Sequence, residues 1–277
     1  MLGAGNTALK KKLVMSAEPF YPKSRNISVA WAETFLRLIE PGVSEITPAV
    51  IVVTDFNSGV VNEDPTIRAL LDQDMARLDL RSCEAVASTI FPVSMWNPKL
   101  PDNAEQLFQR YERVWPRIKH RDRANNRGNY FRRLTSFQPK GSNVAPVNQL
   151  RHVVETYQKG NHRRSALQAS VFDPTRDHVH SRILGFPCLQ QVGFAPVGDS
   201  GLCVTGFYSL QYLFAKAYGN YLGLCHLGRF MAIQMGRTLV QMTCVASALK
   251  LGDQSKGGLK TFANNLRQYL TEKQAQV

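Results

Sequence analysis

The sequence predicts an α+β fold on two observations. Helix-like and strand-like patterns are mixed along the chain, without the regular strand–helix–strand alternation that builds a parallel sheet. One segment, residues 218–235, is strongly apolar with helical spacing, which is typical of a helix buried in the centre of a domain. No internal repeat or low-complexity tract divides the chain, so we expect residues 1–277 to form a single domain.

The N-terminal half opens with one helix pattern and one strand pattern. Residues 28–40 place apolar side chains at helical spacing until Pro41 and Gly42 end the pattern. Residues 47–56 are short and rich in β-branched side chains, which predicts a buried strand. The other elements expected before residue 128 are an irregular segment over 1–27 and helices over 73–92 and 103–120.

Strand patterns dominate the second half of the chain, on both sides of the buried helix. The tail that follows is polar and predicts a turn and a short surface helix. We expect strands after residue 128 and over 165–172, 189–194, 202–208 and 238–249, and the tail over 252–277.

Charge and cysteine usage limit the partners. The chain carries 34 Lys and Arg against 21 Asp and Glu, a formal charge of +13, which favours phosphorylated or polyanionic partners. No apolar run approaches the roughly 20 residues of a membrane-spanning helix, so we expect no membrane partner. The five cysteines are odd in number and widely spaced, without a CxxC pair or zinc spacing. This pattern predicts reduced thiols, a cytoplasmic location and no metal.

Cys188 can be interpreted either as a buried structural cysteine or as a nucleophile. It follows Pro187 in the stretch FPCL, and its apolar neighbours Phe186 and Leu189 are those of a small buried hydrophobe. A nucleophilic cysteine would instead need cationic neighbours, because an ordinary thiol titrates near pH 8.5. The local context alone does not decide between them.

A set of short motifs in a fixed order surrounds Cys188. An arginine pair comes first, then Ser-x-Phe-Asp-Pro, then Pro-Cys, then an apolar strand ending in tyrosine, and then a Gly-Asn pair at the start of the apolar helix. These are Arg163-Arg164, residues 170–174, Pro187-Cys188, residues 202–208 and Gly219-Asn220. Their order resembles the core of the thymidylate synthase and pyrimidine hydroxymethylase superfamily, over roughly the second half of the chain.

The resemblance implies an activity and a role for each motif. Cys188 would add as a thiolate to C6 of a pyrimidine nucleotide and make C5 a nucleophile for methylation or hydroxymethylation. The one-carbon donor would be methylenetetrahydrofolate. Arg163 and Arg164 would grip the phosphate in the neighbouring subunit of a homodimer, since guanidinium forks bind phosphate oxygens bidentately. Asn220 would recognise the pyrimidine edge, unless it is simply the N-cap of its helix.

Three further side chains complete the candidate site. Arg182 is a candidate replacement cation, Glu84 a candidate for the proton-relaying glutamate, and Tyr208 ends the strand that leads to the site. The family's arginine in this neighbourhood is absent, because Ser209 to Gln211 read Ser-Leu-Gln. The segment 242–249 also lacks the Asp-x-His-x-Tyr pattern that holds the sugar. These departures favour an alternative function: a catalytically silent nucleotide-sensing or nucleic-acid-binding protein.

Residues 106–133 form a second candidate site. This stretch, the basic segment, carries nine Lys or Arg against two acids, with Tyr111, Trp115, Tyr130 and Phe131 interleaved. Arginines that contact phosphates beside aromatic rings that stack on bases would bind single-stranded nucleic acid. A charged helix face followed by a surface loop is the plainer alternative. The resemblance offers a third: an arginine-bearing loop over the nucleotide phosphate, through Arg127, Arg132 or Arg133.

Overall fold

The computed structural model describes residues 19–121, 125–139, 141, 143–160, 162–178, 180 and 187–275. Within these ranges helices and strands mix, and the α+β class is confirmed. The helices are α1 (Ile27–Ile39), α2 (Pro65–Arg77), α3 (Cys83–Ala87), α4 (Asn103–Arg121), α5 (Tyr130–Thr135), α6 (Gln149–Gln158), α7 (Pro174–Asp177), α8 (Tyr218–Gln234) and α9 (Lys260–Gln274). The strands are β1 (Glu45–Ile46), β2 (Ala49–Val53), β3 (Phe56–Asn57), β4 (Val60–Val61), β5 (Gln168–Ser170), β6 (Leu189–Val197), β7 (Gly201–Tyr208), β8 (Gln211–Tyr212), β9 (Thr238–Ala246) and β10 (Leu249–Lys250).

The main sheet has five strands in the order β2-β9-β7-β6-β5. β7 and β9 are parallel, and the other neighbours are antiparallel. The parallel pair needs a crossover, which α8 supplies between the two strands. A smaller three-stranded sheet joins β1, β10 and β8 beside it.

Helix α8 lies in the centre of the core, as the sequence predicts. Most of its side chains are fully buried, between the main sheet and α3. Two glycines permit this close approach. A Cβ at Gly219 would lie 2.6 Å from the Cys83 carbonyl oxygen on α3, and one at Gly228 would lie 2.7 Å from a Val204 methyl on β7.

The helix predicted over 73–92 is wrong, because two shorter helices occupy its place. α2 ends at Arg77, and Asp79 adopts a left-handed conformation with φ 54°, which no helix interior allows. α3 then begins after Ser82, whose side chain accepts a hydrogen bond from the Ala85 amide.

Two further expectations are corrected. The chain after residue 128 forms α5 rather than a strand, because the Asn129 side chain caps it by accepting from the Arg132 amide. The tail over 252–277 carries a surface helix as expected, but α9 is 15 residues long rather than short, and one of its faces buries Phe262 and Leu266 against the core. Of the segment 1–27, residues 1–18 lie outside the described residues.

One face of the main sheet packs on α8, whereas the described residues leave the side chains of the other face half-buried or exposed. Because side chains alternate along a strand, the residues that point away from α8 share the opposite face. We call this the open sheet face; its side chains are half-buried or exposed, and none is charged. Its residues are Val50, Val52, Gln168, Ser170, Gln191, Gly193, Ala195, Val197, Cys203, Thr205, Phe207, Gln241, Thr243 and Val245.

Candidate functional site

Cys188 lies immediately before β6, where that strand meets the end of β7. The adjacent Leu189 pairs with Tyr208, the last residue of β7. The Cys188 carbonyl oxygen accepts hydrogen bonds from the Ser209 amide at 3.3 Å and from the Gln190 side chain at 3.1 Å. The backbone of Cys188 is therefore fixed at the end of two neighbouring strands, while its side chain is half-buried.

Two tyrosines flank the thiol. Burial raises the pKa of Tyr130, the first residue of α5, and the charge of Cys188 acts in the same direction, while hydrogen bonds with the Leu189 and Cys188 backbone oppose them. Tyr208 is fully buried, and its hydroxyl has no hydrogen-bond partner among the described residues. A buried polar atom without a partner is costly, so this phenol is available to a ligand that reaches it.

A cation that the sequence argument missed acts on the thiol. Burial raises the pKa of Cys188, and the charge of Lys216 opposes this. Lys216 lies in the five-residue π-helix Leu213–Ala217, directly before α8. Burial and the charge of Arg81 lower the pKa of Lys216, whereas Cys188 raises it. Lys216, which no family motif pointed to, therefore acts on Cys188, and Arg81 acts on Lys216 in turn.

The Cys188 thiol is nevertheless protonated near neutral pH in this state. Its pKa is raised by burial, whereas a cysteine facing phosphate-binding arginines is expected to have a lowered one. The difference arises because the half-buried thiol loses solvation and Lys216 only partly offsets that loss. The direction of this shift works against a reactive thiolate at Cys188.

Asn220 is buried in the first turn of α8 rather than capping it. The N-cap position belongs to Ala217, which excludes the capping interpretation. The Asn220 side chain is 4% exposed and makes no hydrogen bond with any described residue. Like the Tyr208 phenol, it is a buried polar group without a described protein partner.

Arg163 and Arg164 are exposed on the short turn before β5, the outer strand of the main sheet. Within the described part of the chain they form no ion pair and make no hydrogen-bond contact with Cys188. Glu84 lies on α3 and pairs with Arg68 at 3.3 Å, again without a described contact to Cys188. Arg182 lies outside the described residues.

Several aromatic and basic side chains of the basic segment contact one another or are buried, so they are not free to bind a nucleic acid strand. Tyr111 stacks on one side of Trp115 with ring centroids 6.0 Å apart, and the Arg132 guanidinium lies 5.4 Å from the same Trp115 ring. Arg132 also pairs with Glu112. Tyr111 and Phe131 are buried in the core, so they offer no surface on which bases could stack.

The arginines of this segment divide into paired and unpaired groups. Arg133 is 3% exposed and binds both carboxylate oxygens of Asp177, at 2.5 and 2.8 Å, which makes it a structural residue rather than a phosphate ligand. Arg127 is exposed and forms no ion pair with any described residue. Of the three arginines suggested for a phosphate loop, Arg127 is therefore the one whose charge is uncompensated.

Neither protein-family models nor curated protein sequences match this chain. Over the part of the chain that the structure describes, no helix is both long and apolar enough to span a membrane. The same residues contain no group of three or more His, Cys, Asp or Glu side chains placed to hold a metal ion.

Proposed function

We propose that this chain is a thymidylate synthase-like protein that binds a pyrimidine nucleotide at Cys188 and acts as a pyrimidine C5 methyl- or hydroxymethyltransferase. The observation that carries the proposal is the position of Cys188, held at the ends of β6 and β7 beside Lys216 and the buried Tyr208 phenol. This is a thiol with a cation and an unpartnered polar group around it, which a purely structural cysteine does not need.

The thiol chemistry can be written for the residues of this chain. The sulfur forms a bond to C6 of the pyrimidine, the C5–C6 electron pair moves onto C5 and its neighbouring carbonyl oxygen, and the thiol proton leaves to solvent or base. Lys216 stabilises the thiolate electrostatically. A buried hydrogen-bond donor, from Tyr208 or Asn220, would stabilise the oxygen on which charge develops.

The one-carbon donor comes from the resemblance alone. Methylenetetrahydrofolate would supply the carbon that C5 attacks. The described neighbours of Cys188 are phenols, amides and cations, and none of these contacts is specific for a pterin. The proposal therefore assigns no residue to the folate.

A homodimer is part of the same proposal. The open sheet face carries no charged side chain, although 20% of the residues of the chain are charged, and Phe207 on it is 41% exposed. An uncharged, partly apolar sheet face of this kind is typical of an interface. Arg163 and Arg164 precede the outer strand of that sheet, where a second copy covering the face could receive them.

A catalytically silent nucleotide-binding protein is the second candidate. The raised pKa of Cys188 and the absence of the family's arginine next to Ser209 favour it. In this case the site would bind a pyrimidine nucleotide without covalent addition. Both candidates share the nucleotide, and they differ in whether C6 is attacked.

Hydrogen exchange at C5 distinguishes the two candidates without any folate. Thiolate addition at C6 makes C5 basic, so an enzyme exchanges the C5 proton of its nucleotide for deuterium in D₂O. We expect exchange with one of UMP, dUMP, CMP or dCMP, followed by NMR, and its loss in Cys188→Ser. Binding without exchange would support the silent protein. Absence of binding to all four nucleotides would refute both candidates.

A further inference from the structure

A basic pocket lies beside α5, and Cys188 is not among its described lining residues. It encloses about 190 Å³ and is lined by the C-terminal half of α4, the turn before α5, α5 itself and α7. Its charged and aromatic lining comprises Trp115, Lys119, Arg127, Arg132, Arg133 and Arg176. Among the described residues that line it there is no carboxylate and no residue of the Cys188 site.

The frame of the pocket is rigid. The buried Arg133 donates to the Arg127 carbonyl oxygen at 3.1 Å and to the Val171 carbonyl oxygen at 2.9 Å, besides its pair with Asp177. Gly128 has φ 87°, and a Cβ there would lie 3.3 Å from Arg133 Cγ. The turn that carries Arg127 is therefore held in place before any ligand arrives, which lowers the entropic cost of binding.

The same turn is hydrogen-bonded to α4, and the chain that follows α5 is hydrogen-bonded to α7. The Asn125 side chain donates to the Ile118 carbonyl oxygen at 3.0 Å, and the Tyr111 hydroxyl donates to Asn129 at 2.7 Å. On the far wall, Arg176 donates to the Gln138 carbonyl oxygen at 2.8 Å. The cations that line the pocket are thus brought together by four separate elements of the fold.

The charges in the pocket do not balance. Arg132 pairs with Glu112, Arg133 with Asp177, and Arg176 lies 3.9 Å from Asp173. Lys119 and Arg127 form no ion pair with any described residue. Two positive charges therefore face the pocket without a counter-charge from the described chain.

We infer that this pocket binds a terminal phosphate monoester, at a site separate from Cys188. A phosphate monoester carries nearly two negative charges at neutral pH, which matches Lys119 and Arg127, whereas an internal phosphodiester of nucleic acid carries one. The Trp115 ring already contacts the Tyr111 ring and the Arg132 guanidinium, so we expect the cations, rather than stacking on Trp115, to hold the ligand. The site therefore recognises the phosphate and not a stacked base.

The test compares phosphate-bearing probes that differ in one group. A short 3′-labelled single-stranded oligonucleotide with a 5′-phosphate is titrated against the full chain by fluorescence anisotropy, next to the same oligonucleotide with a 5′-hydroxyl. We expect the 5′-phosphorylated probe to bind at least about tenfold more tightly than the 5′-hydroxyl probe. The 5′-hydroxyl probe lacks the phosphate dianion and therefore its charge-assisted hydrogen bonds. Equal affinity for the two probes would overturn the inference.

Variants locate the binding. Lys119→Ala and Arg127→Ala are expected to weaken binding of the phosphorylated probe by about tenfold each, while Arg267→Ala, which removes an exposed charge on α9, leaves it unchanged. Cys188→Ser is expected to retain full binding, which separates this site from the proposed nucleotide site. An Arg127→Ala chain that binds the phosphorylated probe as tightly as the original chain would contradict the assignment.

Competition identifies the source of the phosphate. If inorganic phosphate and a mononucleotide displace the probe at similar concentrations to the unlabelled 5′-phosphorylated oligonucleotide, the ligand is a small phosphate. If only the oligonucleotide displaces it efficiently, the ligand is the end of a nucleic acid strand. Binding should also weaken below about pH 6 in both cases, because the second ionisation of a phosphate monoester is then lost; affinity that rises at acid pH would speak against a dianion site.

Discussion

At the scale of single residues, the charge of Lys216 opposes the effect of burial on the pKa of Cys188. Lys216→Ala takes away the charge of a described residue that lowers the pKa of Cys188 against burial. We expect the pH at which Cys188 becomes alkylated to rise, whereas Lys216→Arg should preserve it, because the reaction rate follows the thiolate fraction. Peptide mapping after alkylation at graded pH measures this. An unchanged Cys188 profile in Lys216→Ala would show that the cation does not act on the thiol.

The pair of Arg133 and Asp177 carries the largest expected effect of a single substitution. Arg133→Ala leaves a fully buried carboxylate without its counter-ion, so we expect a loss of about 3–5 kcal/mol in the free energy of unfolding. Arg132→Ala breaks a pair with the exposed Glu112 and should cost less than about 1 kcal/mol. Urea denaturation compares the neighbouring variants directly, and similar losses in both would contradict the buried role of Arg133.

These two arginines also show what a sequence pattern cannot resolve. Arg132 and Arg133 are adjacent and look equivalent among the basic residues of the segment. Their partners, Glu112 and Asp177, lie 20 and 44 residues away, and no local spacing reveals them. The sequence did not indicate Lys216 for a similar reason: its proximity to Cys188 depends on the π-helix that follows β8.

At the scale of secondary-structure elements, the contact of α8 with α3 depends on glycine. Gly219→Ala would place a methyl group 2.6 Å from the Cys83 carbonyl oxygen, so we expect a loss of about 1–3 kcal/mol, although alanine favours helices. Gly257→Ala meets nothing within 4 Å and is the matched control. Thermal unfolding compares the two. Stabilisation by Gly219→Ala would mean that the helices do not pack this closely.

Periodicity predicted well those elements in which buried apolar side chains recur regularly along the element itself. α1, α4, α8, β6, β7 and β9 were found at or near their expected places because their apolar side chains repeat with the helical or strand period. The errors lie where capping overrides the pattern. Asp79 breaks the expected helix, and Asn129 starts α5 where a strand was expected after residue 128. Single polar residues at such points carry little periodic signal.

At the scale of the whole molecule, the open sheet face makes the association state testable. Phe207→Lys places a charge in the centre of this face, and burial of an unpaired charge opposes an interface. We expect the chain to sediment as a dimer at micromolar concentration and Phe207→Lys as a monomer. Val60→Lys, on the separate β3–β4 hairpin, is the control and should remain dimeric. A monomeric original chain would defeat the dimer proposal.

Shared sites in that dimer can be tested by mixing subunits. Arg164→Ala and Cys188→Ser chains are each expected to lack the C5 exchange reaction on their own. A mixed dimer should recover it in one of its two sites, where an intact Cys188 meets an intact Arg164 of the other subunit. Failure to recover exchange, with mixed dimers verified by mass spectrometry, would assign Arg164 to its own subunit or to no site.

Buried thiols and phenols are expected to make the free energy of unfolding fall at alkaline pH. Burial raises the pKa values of Cys83, Cys225, Cys244, Tyr208 and Tyr221. In the unfolded chain these groups lose protons from about pH 8.5 for Cys and 10 for Tyr, while the folded chain retains them. Their stabilising contribution is complete below these pH values and is lost above them. Urea midpoints should therefore fall between about pH 8.5 and 11; a constant midpoint would indicate that the groups are hydrated.

The pairing of β2 with β9 has a consequence for biosynthesis. Ala49 lies opposite Ala246, so β2 waits for nearly two hundred residues to be synthesised before its hydrogen-bonding partner exists. Contacts this distant in sequence slow folding, and the unpaired apolar strand stays open to other chains in the meantime. A nascent chain arrested before residue 238 should therefore be protease-sensitive and bound by holding chaperones, and the ordered sheet should form only after β9 has been synthesised.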